Sequence, residues 1–410
     1  SPSSERSSLA VEELRSLILH HFSVTAATHV VIFTSGATAA CQMVAEHFPF
    51  TGDSFFWHPI QCHTSLLGMR AVAMRRGAQD VVGEADYGRG DYAHPSEQDA
   101  SNDPSPCPTT PHHLLAVPAE CNFDGTRLYP LREQLQKLRN RELPSLKALR
   151  EGGGKAWLLL DAACFLRTAP LDLSKIPVDF LTFSFYKLFG YPTGLGALVA
   201  RKEALEILDP NLGFGYFGGG SVRSYLATSP WEIRHAPTNP ACWEHGSIDW
   251  LGIIAASVGF KSYWRSFIWE KDVSLAHRLT VECAKRMLSM QHGNNSPMFV
   301  LYGHWGEWLG ENDDSPLSEP ILTQRQGCTI AFNCLRSDGS LIGNVEMARL
   351  FALLHVNIRS GCFCNAGACM LALGLEAADI VAAHKAGHSC GDNMDFVEGK
   401  TDGCSPSVLG

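Results

Sequence analysis

The sequence predicts an α/β fold with a mainly parallel sheet forming a large domain, and a smaller α+β domain toward the C-terminus. Three observations predict it. Short, nearly all-apolar runs recur at residues 30–33, 113–117, 156–160, 180–183 and 196–200. Helix-forming segments separate several of them. Strands apolar on both faces belong in a parallel sheet covered on both sides. The polar residues also gather at one end of these runs: Thr34 to Thr38, Asn122, Asp161 and Ser184 to Lys187 each follow a strand. Ligands of open α/β sheets bind outside the carboxyl ends of the strands.

The elements follow in order. Residues 9–22 repeat apolar side chains at helical spacing and predict a helix. After the strand at 30–33, Thr34-Ser35-Gly36-Ala37-Thr38 leads into the helix-forming 39–45. A strand, a turn of small residues and a helix start make an anion cradle. It is not a Walker loop, which would end in Gly-Lys-Ser/Thr. A strand at 55–57 precedes His63 and a helix over 66–74. Residues 83–111, rich in Gly, Asp, Ser and Pro, predict an exposed insertion. The strand at 113–117 ends near Asn122, and a helix is expected over 131–149. The strands at 156–160 and 180–183 end at Asp161 and at Ser184-Phe185-Tyr186-Lys187. Another strand at 196–200 starts a helix at Glu203. Residues 211–250 read as Gly-rich and aromatic loops converging on a site or a subunit interface.

A long helix over 269–290 bridges into the second domain. Residues 291–322 read as irregular, 328–332 as a strand, 346–354 as a helix and 356–359 as a short strand. The last delivers a loop with Cys362, Cys364 and Cys369. The expected division is 24–266 as the large domain, with 1–23 and 267–410 forming the small one.

Composition narrows the class. The chain has 410 residues, 45% of them hydrophobic and 18% charged, enough for a substantial core. A formal charge of -9 with no basic cluster argues against a nucleic-acid surface. No apolar run reaches bilayer length and the polar N-terminus lacks a secretory core, so no membrane partner is expected. Fourteen cysteines lie scattered without framework spacing, which predicts reduced thiols and a cytoplasmic location.

Lys187, between aromatic residues and a Gly-rich turn, suits an amine that forms an imine with pyridoxal phosphate. That cofactor needs an acid on its ring nitrogen, a phosphate cradle and flat packing on its ring. Asp161 suits the nitrogen; residues 34–38 and Ser184 suit the phosphate. His63 would stack on one ring face, Ala163 pack the other, and Asn122 reach the ring hydroxyl. In the C-terminal loop a thiol beside Arg359 reads as an activated nucleophile, and Arg359 suits a substrate carboxylate. Zinc held by Cys362, Cys364, Cys369, His388 and Cys390 is the competing reading. It is disfavoured because the Cys-x2-Cys knuckle is absent, so no metal is expected.

The motifs Thr34-Ser35-Gly36-Ala37-Thr38, Asp161-Ala162-Ala163, Ser184-Phe185-Tyr186-Lys187 with its Gly-rich continuation to Gly196, and Arg359-Ser360-Gly361-Cys362-Phe363-Cys364-Asn365 together resemble the cysteine desulfurases of the class V aminotransferase group. The Cys-Phe-Cys-Asn-x-Gly-Ala-Cys pattern and residues 387–392 resemble, more narrowly, the N-terminal domain of the eukaryotic molybdenum cofactor sulfurases. This resemblance implies fold type I and a pyridoxal phosphate carried by Lys187 and paired to Asp161. It implies phosphate contacts from Ala37, Thr38 and Ser184, with Tyr186 where related desulfurases have histidine. Ser247 would reach the phosphate of a neighbouring subunit, implying a homodimer. Cys364 would receive sulfur from L-cysteine as a persulfide, releasing alanine. Through a C-terminal domain absent here, the sulfur would pass to the molybdenum cofactor used by xanthine dehydrogenase and aldehyde oxidase. Spacing alone does not choose Cys364 over Cys362. Cys164 stands where many relatives carry Gln or His, and the arginine-bearing strand expected after 387–395 has no counterpart. A general cysteine desulfurase or selenocysteine lyase, or a non-catalytic relative of the same fold, are the alternative readings.

Overall fold

The computed structural model describes residues 2–83, 110–212, 215–264, 268–306 and 319–387. The expected insertion therefore lies almost wholly outside the described residues, as do His388 and Cys390. Helix α1 (Pro2–His21) leads to β1 (His29–Thr34), α2 (Ala37–His47), β2 (Phe55–Pro59), α3 (Thr64–Arg75), β3 (Gln79–Gly83) and β4 (His112–Pro118). Next come α4 (Leu131–Arg139), α5 (Lys147–Glu151), β5 (Lys155–Asp161), β6 (Phe180–Ser184), α6 (Phe185–Phe189), β7 (Gly196–Arg201) and α7 (Lys202–Glu206). Beyond them lie the hairpin β8 (Val222–Tyr225) and β9 (Glu232–Arg234), then α8 (Trp250–Gly259) and α9 (Ile268–Ser289). The rest is β10 (Phe299–Tyr302), α10 (Glu319–Arg325), β11 (Ala331–Cys334), α11 (Asn344–Leu353), α12 (Ala366–Leu373) and α13 (Ala377–Lys385).

Seven strands form one sheet in the order β1-β7-β6-β5-β4-β2-β3. The pairs from β6 through β5, β4 and β2 to β3 are parallel, and β7 runs antiparallel to both neighbours. Alternate side chains of each strand enter opposite faces. On one face Leu158, Leu160, Leu181 and Phe183 pack into a cluster; on the other Leu159, Phe180 and Leu198 pack against α2 and α3. Both faces are buried, which is why the strands are apolar throughout.

Several expectations change. Residues 1–23, assigned to the small domain, hold α1, and Val11, Leu14 and Ile18 of that helix, with Phe22 just after it, are buried in the same cluster as Phe183. That apolar stripe is satisfied by the large sheet. The helix expected over 131–149 breaks after Arg139, and a short 3-10 turn starting at Pro144 separates α4 from α5. Residues 356–359 form no strand; Val356 is exposed, so the β-branched pattern finds no neighbour there. The strand near 328–332 is displaced to β11, where it pairs antiparallel with β10, inside a stretch read as irregular. Among the described residues no single helix is long and apolar enough to cross a membrane.

Candidate active site

One cavity opens at the carboxyl ends of the strands. Ala37, Thr38, His63, Asn122, Asp161, Ala163, Ser184, Tyr186 and Lys187 line it, together with Glu120 and Cys164. Residues spread over 150 positions of sequence meet there because β1, β4, β5 and β6 end on the same edge of one sheet. Ser247, Arg359 and Cys364 do not line it.

The anion cradle is the start of α2. Its first backbone N–H, at Ala37, donates to Ser184 Oγ at 2.9 Å, and Thr38 Oγ1 lies 2.8 Å from Ser65 Oγ. The helix N-terminus and two hydroxyl groups converge without a side-chain cap. Close approach builds this corner. A Cβ on Gly196 would sit 2.6 Å from Gly36 Cα, so β1 and β7 can meet there only with glycine at Gly196.

Asp161 ends β5. Its Oδ1 accepts from Ala163 N at 2.9 Å, which fixes the carboxylate plane at the cavity wall. His63 caps α3: its Nδ1 accepts from Ser65 N at 3.1 Å. That hydrogen bond places the proton of the neutral ring on Nε2. Burial lowers the imidazole pKa, against the raising effect of Asp161; Lys187 and Arg359 lower it further. The ring is therefore neutral at pH 7, as suits stacking on an aromatic system.

Lys187 lies half-buried on α6, its Nζ 3.8 Å from Cys164 Sγ. Burial raises the Cys164 thiol pKa, so it faces the ammonium mainly as a neutral donor or weak acceptor. Below it, the Glu120 carboxylate is fully buried between Arg127 Nε at 2.9 Å and Arg167 Nη2 at 3.1 Å. Nothing in the sequence singled out this ion-pair wall, because Arg167 closes it from 47 residues beyond Glu120.

Cys364 reaches the site's rim through its backbone. Phe363 and Cys364 have φ of 55° and 58°, and Asn365 N donates to Cys362 O at 2.9 Å. This is a tight turn with both central residues left-handed, a conformation that costs roughly 1–2 kcal/mol per non-Gly residue. It is held by three bonds. Thr64 N donates to Cys364 O at 2.8 Å, Asn122 Nδ2 to Phe363 O at 2.6 Å, and Asn365 Nδ2 to Asn122 Oδ1 at 3.0 Å. Asn365 also caps α12 by accepting from Ala368 N, a signal that an Asn just before a helix could have revealed. Arg359 is exposed, its guanidinium 5.2 Å from the centre of the Phe363 ring.

The expectation of reduced thiols changes here. Cys362 and Cys369 form a disulfide, and the other nine described cysteines are free. The pair takes two of the thiols of the competing zinc set, and among the described residues no group of three or more His, Cys, Asp or Glu could hold a metal. Cys362 is buried and bonded, whereas Cys364 is an exposed free thiol. The two cysteines that spacing could not tell apart thus differ in exposure and bonding.

The residues present fit pyridoxal phosphate. The helix start and two hydroxyls match a phosphate, the fixed carboxylate a ring nitrogen, the neutral His63 and the small Ala163 the two ring faces, and Lys187 an aldehyde.

Comparisons with known proteins agree with this geometry. The aminotransferase class-V family model matches residues 141–297. The apo cysteine desulfurase from Thermococcus onnurineus NA1 aligns with a TM-score of 0.64 at 18% identity, covering 91% of this chain and 78% of that one. The cysteine desulfurase CsdA from Escherichia coli gives 0.62 at 18%, covering the same shares. The fold is that of the pyridoxal-phosphate-dependent transferases of fold type I. The chain is similar over most of its length to proteins named molybdenum cofactor sulfurase. It is 36% identical to the human one over 96% of this chain, and 33% identical to that of Arabidopsis thaliana over 96%. The chain spans 42% and 48% of the length of those two relatives.

Proposed function

We propose that the chain is a pyridoxal-phosphate-dependent sulfurtransferase that draws sulfur from L-cysteine. The observation that carries the reading is the convergence of Lys187, Asp161, His63 and the start of α2 on one cavity, with the Cys364 turn bonded to Asn122 and Thr64 at its rim. The similarity to cysteine desulfurases and to proteins named molybdenum cofactor sulfurase supports it.

When bound, pyridoxal phosphate supplies an electron sink for charge developing on the substrate. Lys187 holds the cofactor and, once substrate displaces it, moves protons at the substrate carbon. Asp161 keeps the ring nitrogen protonated. Ala37 N, Thr38 and Ser184 hold the phosphate, Asn122 faces the ring hydroxyl, and Tyr186 borders the cradle. Arg359, in the exposed segment leading to the turn, pairs with the substrate carboxylate. Cys364 Sγ, as thiolate, attacks the substrate sulfur. A sulfur–sulfur bond forms as the carbon–sulfur bond breaks, and alanine leaves. The sulfur acceptor is the molybdenum cofactor, a reading supported by the names of the relatives.

The working unit is a homodimer of two-domain subunits. α8 presents an apolar face with Leu251 78% and Val258 57% exposed, flanked by exposed Trp250 and Ile254. An exposed apolar face of that kind marks an interaction surface. Ser247 is exposed just before α8 and outside its own cavity, as suits a residue serving the partner's phosphate. Glu244 fixes its loop by accepting from Phe33 N at 2.7 Å and pairing with Arg15 at 2.7 Å.

The test is alanine release from L-cysteine with mapping of the Cys364 peptide. With the Cys362–Cys369 bond intact, one extra sulfur on that peptide, lost in Cys364→Ser, is expected. Alanine formation with the sulfur on another residue overturns the assignment.

A further inference from the structure

We propose that Cys362 and Cys369 form a catalytic dithiol that reduces the sulfur carried by Cys364 to hydrosulfide. The inference rests on the sulfur-transfer reading above and adds a chemical step to it. The two cysteines are bonded to each other with Cα atoms 5.4 Å apart, within the ordinary range for a disulfide. Cys362 is the base of the turn that carries Cys364, and Cys369 lies in the first turns of α12 directly after it. Three sulfur atoms thus fall within eight residues, one exposed and two buried in an apolar cluster with Phe123 and Ala368. The inner pair is buried beneath the turn while Cys364 is exposed.

A persulfide carries its outer sulfur at the oxidation level of elemental sulfur, and release as hydrosulfide needs two electrons. The buried dithiol holds them. Starting from both thiols, Cys362 thiolate attacks the outer sulfur of the Cys364 persulfide; a Cys362–sulfur bond forms and Cys364 leaves as thiolate. Cys369 thiolate then attacks Cys362 Sγ, closing the Cys362–Cys369 disulfide and expelling hydrosulfide. One persulfide and two thiols become one thiol, one disulfide and one hydrogen sulfide, so atoms and electrons balance. The pair is reset by an external dithiol, which gives up two electrons and two protons and becomes a disulfide itself. The bonded pair in the structure is the end state of this sequence. Its product suits an acceptor that takes sulfur as sulfide, the form a metal-bound sulfido ligand requires.

The experiment uses the cofactor-loaded chain, reduced, desalted, and given one equivalent of L-cysteine without air or reductant. The expected result is alanine, one hydrosulfide per chain, Cys364 back as a thiol, and the Cys362–Cys369 cross-link in the same sample. A second equivalent leaves the sulfur on Cys364 until dithiothreitol is added. In Cys362→Ser/Cys369→Ser the sulfur stays on Cys364 and hydrosulfide falls about tenfold or more. The wild-type mapping alone decides the matter even if that variant folds poorly. Alanine with persistent Cys364 persulfide and no cross-link in the wild type overturns the dithiol role. So does equal hydrosulfide from the double variant. Absence of both alanine and added sulfur sinks the desulfurase reading, and this inference with it.

Discussion

Asn365 and Asn122 clasp each other beneath the Cys364 turn. Asn365 Nδ2 donates to Asn122 Oδ1 at 3.0 Å, and Asn122 Nδ2 donates onward to the Phe363 carbonyl at 2.6 Å. Asn365 is fully buried, and its Nδ2 has Cys121 Sγ at 3.5 Å as its other acceptor, so most of its polar satisfaction comes from this clasp and the α12 cap. The pair ties the loop bearing the thiol to a residue lining the cavity.

The clasp predicts an asymmetry between two substitutions. Asn365→Asp keeps the acceptor for Ala368 N but turns an oxygen toward Asn122 Oδ1. Asn365→Ala removes both. Each is expected to cost about 1–3 kcal/mol. Because Asp sets two acceptors against each other, it should loosen the turn at least as much as Ala. The check is the rate at which Cys364 reacts with iodoacetamide, expected to rise several-fold in both, by order of magnitude for loss of a docking contact. An unchanged rate would show that the clasp does not restrain the turn.

Lys187→Ala should leave a chain that folds but makes no covalent link to pyridoxal phosphate. Borohydride reduction of the loaded wild type should fix the cofactor to the Lys187 peptide, and the variant should lose its visible absorption. A variant that stays yellow, or a label on another lysine, removes Lys187 from its role.

Gly367→Ala should disturb the site without touching a polar group. A Cβ there would lie 1.9 Å from the Ile60 carbonyl oxygen, so α12 must move away from the loop ahead of His63. Overpacking of this kind costs about 1–3 kcal/mol. Thermal unfolding and Cys364 alkylation should shift together. A change in melting alone would place the strain elsewhere.

Stability should fall as the solution is acidified through a window set by His29. Burial, aided by Arg201, lowers its pKa from 6.5 to about 4. The folded form therefore holds the neutral ring, and the unfolded chain binds more protons between these values. The stabilisation is complete above pH 6.5 and lost as pH drops toward 4. His29→Gln should flatten the unfolding curve across that window, by about 1–2 kcal/mol. An equally steep variant would assign the acid sensitivity to other groups, such as His21, whose pKa burial also lowers to about 4.

Charges on the exposed face of α8 should break the proposed dimer. Leu251→Arg with Val258→Arg is expected to shift sedimentation from two chains to one and to weaken cofactor retention, since Ser247 would no longer meet a partner. A variant that remains dimeric places the interface on another surface.

Much of this was legible in sequence for a physical reason. A strand buried on both faces tolerates almost no polar residue, so β5 and β6 stood out, and their carboxyl ends marked Asp161 and Lys187. β3 did not stand out. It is an edge strand, half-exposed, with Gln79 and Asp80 in its run. The helix over residues 9–22 was readable, but not the surface it packs on. A periodic stripe says only that something apolar covers it. The Glu120–Arg167 pair stayed hidden because it depends on which distant backbones meet, and the Cys362–Cys369 bond because it depends on the left-handed turn between the two. Spacing carries no such information.

The close fit of Gly367 against Ile60, with the bonds from Thr64 and Asn122, leaves the Cys364 thiol on a short leash. A carrier on a long flexible arm can hand its load across a gap to a distant dock. A loop moored this tightly has little reach, so any reagent or partner group that meets Cys364 must come up to the loop itself and be slim enough to approach it there.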